Sequence, residues 1–435
     1  MAGSSPVSCP DRLLFIPGKM TIQEPIDVIV PVYRGLAETR HCLESVLAYR
    51  QQHPYELIVI DDASPEPELA AYLDTLATNQ SITLLRQTAN AGFVAAINRG
   101  LALHPERDVV LLNSDTEVSG DWLDRLARCA ATGEQIGTVT PFSNNATICS
   151  YPRFCEANLL PEGLDLAELD RLFQRANAGR WLEIPTGVGF CMYVRRACLT
   201  AVGGFDESQF GLGYGEENDF CMRASKAGWR HLLCADTFVH HIGGVSFSDR
   251  AVELRAQAQA TLEALHPEYP VQVQTFISQD PARALRHAVD LERARLSPAQ
   301  AVQVVMEQET IAVDLWQRHQ ECMANANALE RGLRQAEQLL EQAYQELRIR
   351  DQALVEAQRF VREREADIAS LHEREQTIQQ AFEQASRRIL ELEQEAESLR
   401  QQHGELQGQH ALLNARLEQI YASKSWRYTS IFRRS

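Results

Sequence analysis

From Leu329 to Ile420 apolar side chains return every seven residues in one unbroken register. No other feature limits the folding choices of the chain as strictly. One seam position holds Leu333, Leu340, Leu347, Leu354, Val361, Ile368, Phe382, Ile389 and Leu417. The other holds Leu329, Ala336, Ala343, Ala357, Leu371, Ile378, Ala385, Leu392, Leu399, Leu406, Leu413 and Ile420. About thirteen heptads without an insertion far exceed the roughly three or four that identify a coiled coil. No proline follows Pro298 and glycine recurs only at 332, 404 and 408, so 333–403 carries no turn signal. Arg350, Arg364, Glu375, His403 and His410 interrupt the seam. The expectation is a continuous rod on the order of 140 Å long, at ~1.5 Å per residue. A lone helix would leave its stripe in water, so the rod is expected in a parallel homo-oligomer, dimer or trimer. A bundle packed on the preceding domain is the competing arrangement.

Ahead of the seam the texture is different. The apolar runs Ile26–Val32, Leu57–Ile60, Ile82–Leu85 and Val109–Leu112 are short and continuous, as in parallel strands buried on both faces. Between them 37–49, 67–77 and 92–103 carry helical spacing. This βαβα alternation predicts an α/β domain with a mostly parallel sheet over 25–275. The remaining segments are a Pro-, Gly- and Ser-containing leader (1–24), a helical linker (276–328), the seam (329–420) and a basic aromatic tail (421–435).

A net charge of −17 argues against general nucleic-acid binding. It also means that any phosphate ligand needs a cation or a pocket of amide donors. No apolar run approaches the ~20 residues that span a bilayer, and the N-terminus does not read as a secretory signal. The ten cysteines are scattered without a CxxC pair. They read as reduced, mostly buried thiols of a cytoplasmic protein.

Four clusters carry chemistry. The first, Val59-Ile-Asp61-Asp62-Ala-Ser64, ends a strand in two carboxylates. They are either ligands at the carboxyl edge of the sheet or caps of the next helix. The second is Asn90-Ala-Gly92, where glycine allows close backbone approach or simply a turn. In the third, Val109-Val-Leu-Leu-Asn113-Ser114-Asp115, a buried strand delivers an acid to its end. That suits a hard divalent cation, and a helix cap near Gly120 is the other reading. The fourth runs from Gly187 through Gly203-Gly204-Phe205-Asp206-Glu207 and Gly215-Glu216-Glu217-Asn218-Asp219 to His240-His241-Ile-Gly243. Crowded Glu216 and Glu217 are candidates for general-base work. Asp219 and Arg223, four apart, read as a structural pair. The histidine pair is either structural or a source of a metal-binding imidazole.

Taken together, these segments resemble family 2 glycosyltransferases of the GT-A fold, in particular those of bacterial cell-surface polysaccharide synthesis. The likeness runs from about 24 to 250. Its most specific pieces are Leu111–Val118, Thr140–Pro152 and the spacing from Gly-Gly-Phe-Asp-Glu to Glu-Glu-Asn-Asp. The resemblance implies a nucleotide-sugar-binding domain in which Asp61 and Asp62 contact the base and ribose, with Asn90 and Gly92 beside them. Asn113-Ser-Asp115 matches Asp-x-Asp, with Asn in place of the first acid and Asp115 at the metal-binding position. Glu217 matches the catalytic base, with Glu in place of Asp, and Glu216 precedes it. His241 rather than His240 matches the histidine that reaches Mg2+ or Mn2+. The implied activity is inverting transfer from a nucleotide-sugar donor to a saccharide or lipid-linked acceptor.

The tail Ser423–Arg434 also resembles a segment found in such enzymes. Its basic and aromatic mix suits the inner-membrane surface or a partner transferase, or else a solvated end. Two other readings stand beside the enzyme. One is a catalytically weak domain acting as a coiled-coil scaffold for an assembly complex. The other is a nucleotidyltransferase.

Overall fold

The structure, a computed structural model, describes residues 24–211, 213–243, 251–360, 374–393 and 395. The strands are β1 (Ile26–Val32), β2 (Tyr55–Asp61), β3 (Thr83–Arg86), β4 (Val109–Leu112), β5 (Thr116–Glu117), β6 (Ile136–Ser143), β7 (Trp181–Ile184), β8 (Cys191–Val194) and β9 (Arg230–His241). Among them run α1 (Leu36–Ala48), α2 (Pro67–Thr78), α3 (Phe93–Leu101), α4 (Trp122–Ala130), α5 (Leu166–Asn177), α6 (Arg196–Val202), α7 (Glu207–Phe210) and α8 (Glu216–Lys226). Then follow α9 (Ala251–Leu265), α10 (Tyr269–Gln279), α11 (Arg283–Leu296) and the long α12 (Pro298–Phe360).

The four apolar runs are β1 to β4. Alternate residues of each strand enter opposite cores, which is why the runs are continuous. Val28, Val30, Leu57, Val59, Val110 and Leu112 meet α1, α2, α4 and α5 on one face. Ile29, Ile58, Ile60, Val109 and Leu111 meet α3, α6 and α8 on the other.

The strand order is β3-β2-β1-β4-β8-β6-β9-β5, with β7 also paired to β9. β1 pairs in parallel with β2 and β4, and β2 with β3. The second half departs from the expected mostly parallel sheet. β8 runs antiparallel to β4 and β6, and β5 and β7 run antiparallel to β9. The physical reason is connectivity. Helices α1 and α2 cross over between the parallel pairs β1–β2 and β2–β3, whereas β8 is reached from β7 by a short loop with no helix and inserts antiparallel between β4 and β6. Two reversals, β4 to β8 to β6, bring β6 and its parallel neighbour β9 back to the direction of β4. The carboxyl ends of β1, β2, β4, β6 and β9 therefore share one edge.

The region 276–328 packs back on the sheet domain through a buried polar network. The Tyr151 hydroxyl donates to Asp290 Oδ1 at 2.9 Å and accepts from Arg293 Nη1 at 3.0 Å. Arg293 also makes two bonds, 2.7 and 2.9 Å, to Glu307 of α12.

Along α12 the seam is legible in burial. Leu329, Leu333, Ala336, Leu340, Ala343 and Leu347 are each partly buried, and every residue between them is exposed. Ile378, Phe382, Ile389 and Leu392 are partly buried as well. The straight rod is overturned. The rings of Tyr344 and Phe382 meet edge-on with centroids 4.8 Å apart. On one straight helix these residues would lie about 57 Å apart, so 344–382 does not form one straight helix. Of the interrupting residues, Arg364 and Glu375 fall in that interval. The tail 421–435, His403, His410 and the leader up to residue 23 lie outside the described residues.

Among the described residues no helix is long and apolar enough to cross a membrane. Nine cysteines from Cys42 to Cys322 are free thiols, and all but Cys155 and Cys322 are buried.

Candidate active site

The end of β4 and the end of β9 are brought together by pairing: Thr116 stands opposite His241 and Glu117 opposite His240. Because successive strand side chains alternate, the two histidines separate. His240 Nδ1 lies 3.5 Å from Glu117 Oε2, and His41 stands 3.5 Å from the other oxygen. The neighbouring His240 ring holds the Glu117 carboxyl below its ordinary range. His241 Nε2 instead lies 3.5 Å from Asp115 Oδ1, and Ile242 N donates to the Asp115 carbonyl at 3.0 Å. Asp115 lies six residues before Asp121, which stands at the start of α4, so it is not that helix's cap.

The His241 ring is fixed from behind. Its Nδ1 is 2.7 Å from the carbonyl oxygen of Asn145. A carbonyl only accepts, so Nδ1 carries the proton and Nε2 presents its lone pair toward Asp115. Asn144 grips the same strand end, its Oδ1 accepting from His241 N at 2.7 Å and its Nδ2 donating to His241 O at 3.0 Å. Phe190 stacks on the imidazole at 5.3 Å, and its carbonyl accepts from Asn113 N at 2.8 Å. The Asn113 carbonyl in turn accepts from Thr116 Oγ1 at 2.7 Å. One carboxylate oxygen and one imidazole lone pair facing each other, with the tautomer set by a carbonyl, are a donor set that fits a hard divalent ion.

At the neighbouring strand end both aspartates are engaged within the protein. Asp61 Oδ1 accepts from Ser64 N at 2.8 Å and Oδ2 from Arg86 Nε at 2.7 Å. This is a turn and an ion pair rather than a helix cap, since α2 begins only at Pro67. Asp62 accepts from Ala91 N and Gly92 N at 2.8 and 2.9 Å and from Gln87 Nε2 at 2.9 Å. Burial raises its carboxyl, and the two amides oppose that. Asn90 Oδ1 also accepts from Gly92 N, at 3.1 Å. Gly92 has φ +93°, which any other residue would adopt with strain. Asp62 thus organises the loop before α3.

Glu216 and Glu217 open α8 behind the left-handed Gly215. Their environments differ. Glu216 is 5% exposed and its Oε2 has no hydrogen-bond partner. Burial, and then the charge of Glu217, push its carboxyl far above the ordinary range, so Glu216 is the protonated member. Glu217 is partly exposed and accepts from Asn218 Nδ2 at 3.2 Å, while Thr186 Oγ1 donates to Asn218 Oδ1 at 2.9 Å. Burial raises Glu217 too, but amides at the start of α8 hold it back. It is the member that carries charge.

The loop Gly187–Phe190 joins the two ends of the site. At Gly189 a Cβ would lie 3.7 Å from the Cβ and Cγ of Glu217, while the next residue stacks on His241. Sequence reasoning singled out Asp115, His241 and Glu217 but assigned nothing to Asn144, Asn145, Phe190 or Thr186. The first three lie inside the motif segments, and their role is visible only once β6, β8 and β9 are aligned. The Asp219–Arg223 pair forms as expected, at 2.8 Å.

A further acid and histidine group lies at the opposite edge of the sheet. Asp27, Glu56 and His104 bring ligand atoms within 4.8 Å of one another. Arg107 Nη1 already stands among them, 3.0 Å from Asp27 Oδ1 and 2.7 Å from Glu56 Oε2. A guanidinium therefore holds the place of a cation there.

Residues 27–202 match the family model described as glycosyl transferase family 2. An uncharacterized protein of Sinorhizobium fredii is 23% identical over 227 residues, covering 50% of this chain and 24% of that one. The N-acetylglucosaminyl-diphospho-decaprenol L-rhamnosyltransferase of Mycobacterium tuberculosis is 26% identical over 244 residues, 49% of this chain and 76% of that enzyme. Among solved structures, the mannosyltransferase of Pyrobaculum calidifontis in complex with GDP-Man and Mn2+ is 19% identical with a TM-score of 0.42. That likeness covers 65% of this chain and 79% of that one. S. aureus TarS in complex with UDP-GlcNAc is 15% identical, with a TM-score of 0.39 over 66% of this chain and 81% of that one.

Proposed function

Proceeding from the glycosyl transferase family 2 match over residues 27–202, we propose that the protein is an inverting glycosyltransferase. It moves a sugar from a nucleotide-sugar donor to a saccharide or lipid-linked acceptor. The observation that carries this reading is the loop Gly187–Phe190, in which a Cβ at Gly189 would lie 3.7 Å from the Glu217 side chain and Phe190 stacks on His241. Base and cation-binding groups thus stand on either side of one short segment.

Glu217 takes the proton of the acceptor hydroxyl as that oxygen bonds to the anomeric carbon. The bond from this carbon to the nucleoside diphosphate breaks on the opposite face. Glu216, held neutral by burial, leaves Glu217 as the single charged member of the pair. Asp115 and His241 Nε2 would hold Mg2+ or Mn2+, which when bound stabilises the negative charge of the departing diphosphate. Asp61, Asp62, Asn90, Gly92 and Asn113 border the donor side. Asp62 acts by accepting from the amides of Ala91 and Gly92 and so fixing that loop, which leaves the Asn113 side chain for the nucleotide.

The mycobacterial relative's name concerns a lipid-diphosphate acceptor, and the proposal for this chain is the same broad class, in cell-surface polysaccharide synthesis. Such an acceptor would bring the protein to the inner membrane from the cytoplasm. Self-association through 329–420 is part of the proposal, and sedimentation of the full chain measures it.

The deciding experiment is a thermal-shift screen of UDP-, GDP- and dTDP-sugars with and without Mn2+. A ligand at 100 times its dissociation constant adds ~2.7 kcal/mol, a rise of a few degrees. One nucleotide class should stabilise the protein in the presence of Mn2+. A flat response across the panel contradicts the reading.

A further inference from the structure

The helix that carries Glu217 lies beyond the matched residues 27–202 and is held by a segment that follows it in the chain. Asp219 stands in the first turns of α8 and is 3% exposed. Its Oδ2 accepts from Arg223 Nε at 2.8 Å, and Arg223 in turn donates to the carbonyls of Val202 and Gly204 at 2.7 and 2.9 Å. Its Oδ1 faces His266 Nε2 at 2.8 Å. His266 lies between α9 and α10 and is 4% exposed.

The ring has a defined polarity. Lys226 Nζ lies 2.7 Å from His266 Nδ1, and an ammonium only donates. Nδ1 therefore accepts, Nε2 bears the proton, and that proton points at Asp219. Lys226 is itself steadied by Glu268 at 2.9 Å. The result is one connected network in which Lys226 donates to Glu268 and His266, and Asp219 accepts from His266 and Arg223.

Around it the same helices close on the start of α8. A Cβ at Gly215, the residue before Glu216, would lie 3.6 Å from the Cβ of Ala258 in α9. Leu262 is buried in the core that contains Phe220. Tyr269, the first residue of α10, packs against that core, and its hydroxyl is raised first by burial and then by the charge of Glu217.

We propose that His266 is a positioning residue for the general base. By donating to Asp219 it fixes the first turn of α8, and with it the reach of Glu217, so the α9–α10 pair is a working wall of the active site. This rests on Glu217 being the base. Displacing a reacting group by about 1 Å costs up to ~10²-fold, so the clamp acts on turnover rather than on donor affinity.

The test uses two variants of the full chain that keep a polar amide in the buried slot. In His266→Gln the amide nitrogen takes the place of Nε2 and still donates to Asp219. In His266→Asn the amide reaches only as far as Nδ1, so Lys226 keeps an acceptor and Asp219 loses its donor. The readouts are Mn2+-dependent hydrolysis of the nucleotide sugar that gives the largest thermal shift, its dissociation constant, and hydrogen exchange of the amides at 217–220. H266Q should keep turnover within about threefold of the parent. H266N should lose roughly tenfold to 10²-fold, with donor affinity unchanged and faster exchange at 217–220. Equal turnover in the two variants, or a loss in H266N matched by lost donor affinity, overturns the proposal. Glu217→Gln is run alongside. If it keeps full turnover, the base assignment itself fails. If it is inactive while H266N is normal, the positioning role alone fails.

Discussion

The two edges of the sheet hold nearly the same side chains and do opposite things. At the amino edge, Asp27 is fully buried and shares Arg107 with Glu56, and His104 Nδ1 lies 3.0 Å from Asp27 Oδ2. At the carboxyl edge, Asp115 and His241 face each other at 3.5 Å. No Arg or Lys is paired to Asp115 among the described residues. The first cluster is closed by its own guanidinium, and buried carboxylates that have an internal cation are structural. The second is open and lies where parallel strands end. Acid and histidine identity therefore says little about a cation site. What decides is whether the chain supplies the cation itself.

The largest effect that sharpens this contrast concerns the base. Glu217→Gln should reduce turnover by ~10²–10⁴-fold while donor binding persists, and Glu216→Gln should reduce it far less. A dead Glu216→Gln beside an active Glu217→Gln would reverse the roles. A Glu217 that serves as the proposed base works deprotonated, and its carboxyl is raised by burial, so the acid limb of kcat is then expected to fall above the ordinary carboxylate range. Glu216 adds a signature in stability. Its carboxyl is raised in the folded state, so the folded protein holds that proton more tightly than the unfolded chain does. This contribution is present at low pH and fades as pH rises through the folded value. Glu216→Gln should gain stability relative to the parent toward high pH, read by denaturant titration across pH.

A smaller effect belongs to the closed edge. Arg107→Met leaves Asp27 and Glu56 without their cation. It should cost about 3 kcal/mol, at the low end for a broken buried pair because Glu56 still meets water. Turnover per folded molecule should be unchanged, and Mn2+ should stabilise this variant more than it does the parent. If the variant lost turnover instead, the amino edge would have a part in the reaction and the contrast would break.

Much of this was legible in the residues. Strands β1, β2 and β4 stood out because most of their residues are buried on both faces and therefore apolar, while the edge strand β3 is only partly buried. Asp115, His241 and Glu217 stood out through motif order. Asn145 and Phe190 did not, because their contribution is a carbonyl direction and a ring stack that depend on how β6, β8 and β9 are aligned. The antiparallel half of the sheet was hidden for the same reason, since β8 pairs with β4 and β6, strands that are not its neighbours in sequence. The heptad seam identified which face of α12 is half-buried, yet a period of seven is silent on what covers that face. The contact of Tyr344 with Phe382 shows only that 344–382 is not one straight helix. Arg364 and Glu375 at seam positions were the available hint of an interruption.

The central claim is that Asp115 and His241 form the open cation site of a nucleotide-sugar enzyme. It is tested most directly by calorimetry of nucleotide-sugar binding with and without Mn2+, on the parent chain and on Asp115→Ala. The account predicts Mn2+-dependent binding in the parent and its loss in the variant, with the melting temperature nearly unchanged. Equal Mn2+-dependent binding in both would contradict it.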